Sequence, residues 1–293
     1  MILRSLNIEQ PLLADAYNDS RIKGTYYLVG FVARFDKSNT PFWEITLSDA
    51  SASLTVYCRD QACIFGNLLP QSLVDIEARI DDLGSQPYFR CKFIQLSSIA
   101  AGQFRHISQL PIALCRVPHA LSAMRELASN IIEPCLADFL SHVLLQSNIG
   151  VRFIQCPASL NHHHSYGGGL LEHSVEVAER FANETARDQQ DKDLAVVAAL
   201  LHDVGKTLTL TPDLTRADLG YSVDHDHLTL EICAPALKIL SAKHQGFANH
   251  LRHVWTCATP GARYGFKAKT AIARELQHYD RQSAARHNVN AMN

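Results

Sequence analysis

The sequence has little net charge and no long apolar run. Its 293 residues carry a formal net charge of −2, which excludes a strongly cationic nucleic-acid binder and makes any basic patch local. No apolar run is long enough to cross a bilayer, and residues 1–7 lack the apolar core of a signal peptide. We therefore expect a cytoplasmic protein without a membrane partner.

Paired cysteines are also missing. The chain has 8 cysteines but no Cys-x-x-Cys pair, so a thiolate zinc site is disfavoured. In a chain of this size we expect these cysteines to be buried free thiols in a reducing compartment.

Histidine is concentrated in the second half of the chain. Of 15 histidines, 12 lie at or after position 162, so metal or acid–base chemistry should be sought there. A chain of this length, 47% hydrophobic, is expected to form two domains, each with its own core.

Five short strands are predicted within residues 22–100. Their aromatic and β-branched runs cover residues 26–34, 42–47, 53–58, 73–80 and 88–96. Residues 59–69, between the third and fourth strands, are expected to be helical. This is the layout of an OB-fold barrel, and the stretch resembles the OB-type nucleic-acid-binding modules.

OB-folds bind single strands by stacking bases on exposed aromatic rings beside Lys or Arg. The candidate contacts in this module are Phe31, Arg34, Phe42, Tyr57, Arg59, Phe89 and Arg90. The alternative is that these rings belong to the core and these cations are solvated. Residues 21–92 carry eight Lys or Arg against eight Asp or Glu, so charge does not decide between the two.

The remaining segments complete a two-domain layout. Residues 1–21 are predicted to form a loosely attached arm, and residues 101–118 a linker. From residue 119 to 285, apolar residues recur at helical spacing, and residues 286–293 form a tail. The predicted fold is a five-stranded OB-like barrel followed by an all-α domain.

The most informative stretch begins at His162 and ends at Lys206. Gly167–Gly169 is predicted to be a loop before a helix. A second helix ends in residues 194–201, which are apolar all round and therefore buried. Asp203 follows that helix without a break, and a charged group there is costly unless it is paired or bound to a metal.

This stretch resembles the HD-domain superfamily of metal-dependent phosphohydrolases. The matching residues are Gly168-Gly169-Leu170-Leu171-Glu172-His173 and Leu200-Leu201-His202-Asp203-Val204-Gly205-Lys206. The resemblance implies that His173, His202 and Asp203 bind a metal together with a later aspartate, for which Asp280 is the best match. For Asp280, the alternative is a solvated aspartate near a helix end.

The residue types suit the implied chemistry. Imidazoles and carboxylates together bind a divalent transition metal, and the metal lowers the pKa of a bound water. We expect Mn²⁺, with Mg²⁺, Fe²⁺, Ni²⁺ or Co²⁺ as alternatives, and Asp203 orienting the attacking water. Lys206 lies about one helical turn beyond His202, at a reach suited to a phosphate oxygen. For Lys206, the alternative is a lysine that meets a helix dipole.

Further histidines could hold a second metal or contact phosphate. His227 and His253 lie near positions that carry histidines in related enzymes. Cys257–Pro260 stands where those relatives have a His-His pair, so we favour one firmly held metal. His162, His163 and His164 are candidates from a flexible loop for phosphate contact or acid–base work, and we name His164 as the catalytic one.

Two families resemble the chain more closely. An OB-like module followed by an HD domain resembles the YhaM-type 3′→5′ exoribonucleases over about residues 22–285. The run from Asn161 to His173 also resembles the HD-like domain of conjugative relaxases. The leading hypothesis is therefore a metal-dependent phosphodiesterase that hydrolyses single-stranded RNA or DNA in the 3′→5′ direction.

Two other hypotheses stay open. The chain could be an HD nucleotide phosphohydrolase that acts on free nucleotides. It could also be a non-catalytic nucleic-acid-binding subunit of a conjugation or repair complex, whose HD site is degenerate. The sequence leaves RNA and DNA equally open, and it is compatible with a homo-oligomer.

Overall fold

The chain divides into two compact units. The computed structural model describes residues 10–83, 86–97, 106–146 and 148–290. The barrel unit comprises the residues up to 104 together with 108–113, and the helical unit comprises 105–107 and the residues from 114 onward. Within the described part, no helix is both long and apolar enough to cross a bilayer.

The barrel unit is a closed sheet. Its strands are β1 (Arg21–Phe35), β2 (Pro41–Ser48), β3 (Ser53–Cys58), β4 (Ile64–Phe65), β5 (Ser72–Leu83) and β6 (Gln86–Leu96). Antiparallel pairing gives the order β3-β2-β1-β5-β6, and β3 then pairs in parallel with β6, which closes the barrel. The short β4 adds to β6. The predicted five-stranded OB-like barrel followed by a helical domain is confirmed.

Alternation along the strands fills the barrel with apolar side chains. Val56 of β3 and Phe89 of β6 are both 0% exposed, whereas Tyr57 and Arg90, the next residues along, point outward. The prediction that Phe89 stacks on bases is therefore wrong, because its ring lies in the barrel core. Phe31 also packs against that core.

The helix expected over residues 59–69 is not present. The segment forms one 3₁₀ turn, Gln61–Cys63, followed by β4. Asp60 caps the turn by accepting a hydrogen bond from the backbone N–H of Ala62 at 2.9 Å. Gly66 has a φ of 71°, which an α-helix cannot accommodate.

The described part of the predicted arm, residues 10–20, is packed rather than loose. Leu13 and Ala16, in a 3₁₀ turn, are buried in the barrel core. The Tyr26 hydroxyl donates to the Pro11 carbonyl at 2.7 Å. Residues 1–9 of the arm and residues 101–105 of the predicted linker lie outside the described residues.

Asp49 organises the turn between β2 and β3. It is fully buried, and its Oδ1 accepts hydrogen bonds from the backbone of Ser51 and Ala52 at 2.7 and 3.0 Å. Its Oδ2 accepts from the backbone N–H of Leu13 at 2.8 Å. One carboxylate therefore holds both the turn and the segment before β1.

We expect Asp49→Ala to lower the free energy of unfolding of the barrel unit by about 3 kcal/mol, because buried backbone donors lose a charged acceptor. Urea unfolding followed by Trp43 fluorescence in a Trp255→Phe background measures the change. Asp19→Ala, at an exposed position, is the matched control and should shift stability by less than about 0.5 kcal/mol. Equal effects of the two changes would contradict this account.

The helical unit is built from nine helices in its described part. They are α1 (Pro118–Ser129), α2 (Pro134–Leu144), α3 (Ile149–Gln155), α4 (Gly169–Ala182), α5 (Gln189–Leu201), α6 (Lys206–Thr209), α7 (His225–Lys243), α8 (Gln245–Thr256) and α9 (Ala271–Asn290). Helix α5 is buried from Asp193 to Leu201, as the sequence predicts. It packs against α4 and α9, the helices that carry His173 and Asp280. All eight cysteines of the chain are free.

Candidate metal centre

The four residues that the sequence nominates as metal ligands lie together. His173 Nε2 is 3.2 Å from His202 Nε2 and 3.1 Å from Asp280 Oδ1. Asp203 Oδ2 lies 3.6 and 3.5 Å from the Nε2 atoms of His173 and His202. Helix α4, the end of α5 and helix α9 thus bring two imidazoles and two carboxylates to one point. The first and last of these residues, His173 and Asp280, are 107 residues apart in the sequence.

Hydrogen bonds at the far side of each ring turn the Nε2 lone pairs inward. His202 Nδ1 lies 2.7 Å from the Ala199 carbonyl, which can only accept, so this nitrogen carries the proton. His173 Nδ1 is 3.1 Å from Ser283 Oγ, whose own proton goes to Glu176 at 2.7 Å. Both Nε2 atoms can therefore act as metal ligands.

Sequence reasoning missed Glu176 and Ser283. Each lies three residues beyond a nominated ligand on the same helix, Glu176 after His173 and Ser283 after Asp280. Residues three apart share a helix face, and this spacing is the signal that could have found them. Together they fix the orientation of the His173 ring from behind.

The centre attracts cations. Burial raises the pKa of Asp203, but the charges of Lys206 and His202 more than reverse this and hold it well below its usual value. Burial lowers the pKa of His202, but Asp203 and Asp280 raise it to about 9. Both shifts reflect attraction between buried carboxylates and the cationic groups beside them. A divalent cation, which would displace the proton from His202 Nε2, fits this donor set of imidazoles and carboxylates.

Lys206 already has a partner. Its Nζ lies 2.6 Å from Asp203 Oδ2, and its side chain is largely buried. It begins α6 instead of ending a helix, so the dipole alternative does not describe it. Contact with a phosphate oxygen would require the ammonium to bridge the phosphate and the carboxylate of Asp203.

A second group of possible ligands contains Asp203, His225 and Asp226. His225 Nε2 lies 3.3 Å from Asp203 Oδ1 and 3.4 Å from Asp226 Oδ1. Gly205 makes this approach possible, because a Cβ there would lie 2.0 Å from the His225 carbonyl oxygen. Asp203 thus offers one carboxylate oxygen to each group.

His227 and His253, which the sequence nominates for a second metal, do not belong to either group of possible ligands among the described residues. His227 is exposed to solvent. His253 Nε2 accepts a hydrogen bond from the backbone N–H of Lys269 at 3.0 Å. The residue that meets Asp203 is His225, two positions earlier on α7 than His227, because the first turn of that helix faces Gly205.

The three consecutive histidines, His162 to His164, differ in their burial and contacts. His164 is 2% exposed, and its ring nitrogens lie 2.9 Å from the Tyr166 hydroxyl and 3.3 Å from Glu176. Gly169 permits this close packing, since a Cβ there would lie 2.1 Å from the His164 carbonyl oxygen. The catalytic role predicted for His164 does not match this position.

His163 is the histidine of the loop that borders the centre. Its ring centroid is 5.3 Å from that of His173, and it is partly exposed. Burial and the positive charges of His173 and Lys206 lower its pKa to about 4. His163 is therefore neutral at pH 7 and can donate a hydrogen bond through one ring nitrogen, whereas His162 is exposed to solvent.

A polar cavity of about 310 Å³ opens beside the second group of ligands. Its lining residues include Thr209, Arg216, Tyr221, Ser222, Asp224 and His225. The cavity has the size and polarity to take part of a small substrate next to His225, which contacts Asp203.

The outer face of the barrel carries an aromatic cluster. Tyr57 lies between Phe42 and Tyr88, with ring centroids 6.1 and 5.9 Å apart, and the guanidinium of Arg59 is 5.9 Å from the Phe42 ring. Three of the seven nominated contacts, Phe42, Tyr57 and Arg59, are thus brought together. Tyr88 was missed, although it lies two residues before Arg90 on the same strand face.

The nominated cations of the barrel are each near a carboxylate. Arg34 lies 3.5 Å from Glu44, and Arg90 lies 3.3 Å from Asp81. Arg59 lies 3.4 Å from Asp36. All three pairs are partly exposed to solvent, so each is weak and can give way to a phosphate.

Comparison with known proteins is consistent with this geometry. Residues 170–284 match the HD domain family. The chain is 34% identical over 95 residues to the dihydroneopterin 2′,3′-cyclic phosphate phosphodiesterase of Methanocaldococcus jannaschii, covering 28% of this chain and 36% of that protein.

Two ribonucleases are also similar to the chain. It is 31% identical over 118 residues to ribonuclease Y 1 of Pediococcus pentosaceus, covering 38% of this chain and 22% of that protein. It is 32% identical over 106 residues to the ribonuclease Y of Sulfurimonas denitrificans, covering 34% and 20%. The chain thus matches between a fifth and just over a third of the length of these curated relatives.

We expect Asp280→Ala to weaken Mn²⁺ binding by about a hundredfold or more, because one of four converging donors is lost. Calorimetric titration of the metal-free protein measures the affinity and the number of ions. His227→Ala is the matched control and should leave both unchanged. The assignment fails if Asp280→Ala binds Mn²⁺ as the unaltered protein does.

Proposed function

We propose that this chain, in which residues 170–284 form an HD domain of the metal-dependent phosphohydrolase superfamily, is a phosphodiesterase that hydrolyses single-stranded nucleic acid. The observation that carries the proposal is the convergence of His173, His202, Asp203 and Asp280, in which each histidine Nε2 lies between 3.1 and 3.7 Å from an oxygen of each carboxylate. Such a donor set suits a divalent metal, for which Mn²⁺ is our first choice.

The residues around the centre have distinct tasks in this proposal. When bound, a divalent metal lowers the pKa of a coordinated water and offsets the charge of the attacked phosphoryl group. Asp203 orients the attacking group, and Lys206 balances the charge of that carboxylate and approaches a phosphate oxygen. His163, neutral at pH 7, contacts the phosphate through a ring N–H.

The barrel holds the strand. Phe42, Tyr57 and Tyr88 offer ring faces to successive bases, and Arg59 meets a phosphate. RNA is favoured over DNA because two of the similar proteins are named ribonucleases. The 3′→5′ direction is proposed from the resemblance to the YhaM-type exoribonucleases, which share the order of barrel and HD domain.

A second candidate function is hydrolysis of a small phosphodiester. The polar cavity of about 310 Å³ beside His225 supports it, as does the similarity to a cyclic phosphate phosphodiesterase. A degenerate, non-catalytic site is less well supported, because all four nominated ligands lie close together.

End-labelled RNA 20-mers and bis(p-nitrophenyl) phosphate, incubated with the protein and Mn²⁺, test the proposal. We expect a ladder that shortens from the 3′ end and release of nitrophenol, and both should fall at least about a thousandfold in Asp203→Asn. His227→Ala serves as the control with full activity. Hydrolysis of the small ester alone would favour the second candidate, and activity retained by Asp203→Asn would refute the site.

The barrel surface is tested separately with Tyr57→Ala combined with Tyr88→Ala. Loss of two stacking rings should raise KM for the 20-mer by about tenfold or more. The rate on bis(p-nitrophenyl) phosphate should not change, since that ester is too small to need the barrel. Phe35→Ala, which removes a ring that is 67% exposed but outside the cluster, is the matched control. An unchanged KM in the double variant would remove the barrel from strand binding.

A further inference from the structure

The loop between α8 and α9 displays two aromatic rings to solvent. We call residues 257–270 the aromatic loop. Tyr264 is 78% exposed and Phe266 is 75% exposed. The loop is nevertheless ordered by its backbone, because the Ala258 N–H donates to the Phe266 carbonyl at 2.8 Å. The rings are therefore presented outward by a defined turn and add nothing to a core.

The same region concentrates positive charge. Residues 245–274 contain no Asp or Glu and five Lys or Arg, in a chain whose formal net charge is −2. The five cations are Arg252, Arg263, Lys267, Lys269 and Arg274. Such segregation creates a local positive potential that the overall composition conceals.

Each of the two exposed rings has a cationic side chain close to it. The Arg263 guanidinium lies 5.3 Å from the centroid of the Tyr264 ring, and Lys269 Nζ lies 5.5 Å from that of Phe266. Exposed apolar side chains are ordinary when they occur singly. Tyr264 and Phe266 are only two residues apart and each has a cation near its ring, so together they form a surface of defined chemistry. Their combination suits a ligand that has both flat faces and anionic groups.

We propose that the aromatic loop binds single-stranded nucleic acid, with bases stacked on Tyr264 and Phe266 and phosphates beside Lys267 and Lys269. Duplexes fit less well, because their base faces are already stacked inside the helix. A phosphorylated protein or a lipid headgroup would meet the cations but leave the two ring faces unused. This binding surface lies on the helical unit, and it does not require that the metal centre be hydrolytic.

The aromatic loop is followed by helix α9, which carries Asp280 of the candidate centre. Helix α9 begins at Ala271, and Asp280 follows nine residues later. At about 1.5 Å per residue, the loop end of α9 lies about 14 Å along the helix axis from Asp280. This is roughly four stacked nucleotides at about 3.4 Å each. A strand on the loop could thus reach the centre, an extension that rests on the proposed function.

The test is binding of a fluorescent RNA 20-mer to the full chain by anisotropy, with EDTA present so that no hydrolysis occurs. We expect Tyr264→Ala combined with Phe266→Ala to weaken binding by about tenfold or more. The measurement is repeated in the Tyr57→Ala and Tyr88→Ala background, so that the barrel cannot hide the loss. Tyr264→Phe keeps a ring face and should bind as the unaltered protein does.

Charge is tested with Lys267→Gln combined with Lys269→Gln. The slope of log affinity against log salt should fall in magnitude by about 1.4, which corresponds to two phosphate contacts on a single strand. Ile132→Ala and Lys238→Gln, at exposed positions outside the loop, are matched controls for lost apolar surface and lost charge. Thermal melting of every variant confirms that each has folded.

Two results would overturn the proposal. One is unaltered RNA affinity of the aromatic double variant in both backgrounds. The other is an equal loss of affinity for single strands and for a duplex of the same length, which would reduce the loop to a charge effect. Failure of the proposed function would be seen separately, as no hydrolysis of bis(p-nitrophenyl) phosphate by the unaltered chain with normal RNA binding.

Discussion

Two carboxylates and two imidazoles facing each other in a largely buried site, open at Asp280, are the constraint on which the helical unit depends. Such an arrangement is unfavourable without a cation, because lone pairs and like charges converge where water is scarce. The Lys206 ammonium, 2.6 Å from Asp203, offsets part of that charge. The remaining donors are of the types that suit a divalent transition metal. The packing of α4, α5 and α9 brings these donors together.

Close contacts between backbone segments at two glycines are the second condition for this centre. Gly205 and Gly169 each lie where a Cβ would meet a carbonyl oxygen at about 2 Å, one beside His225 and the other beside His164. The first contact brings α7 to Asp203, and the second seats the histidine loop over α4. Both glycines lie within the motif-bearing stretch, so the motif specifies backbone contacts as well as side-chain chemistry.

The sequence predicts local order well and tertiary partners less well. Alternation and turn residues predict the barrel strands, and the apolar run predicts the buried end of α5, because both are local periodicities. The motif places His173, His202 and Asp203, and resemblance adds Asp280. Alternation does not say which face of a strand lies inside the barrel, so Phe89 was wrongly predicted to point outward. Nor does it say which outward ring has a neighbour on another strand, so Tyr88 was missed. His225 was likewise missed, because its approach to Asp203 depends on the packing of α7 against Gly205.

Charge illustrates why composition bounds function only coarsely. The near-neutral total excludes a uniformly cationic surface, yet residues 245–274 carry five cations and no carboxylate. Since exposed charges farther apart than about 8 Å are largely screened at physiological ionic strength, a polyanion responds to the local excess and not to the sum. The acidic residues elsewhere then act differently, by disfavouring phosphates on the rest of the surface. A chain with balanced charge can in this way offer a polyanion a few local sites, which a uniformly basic chain could not do.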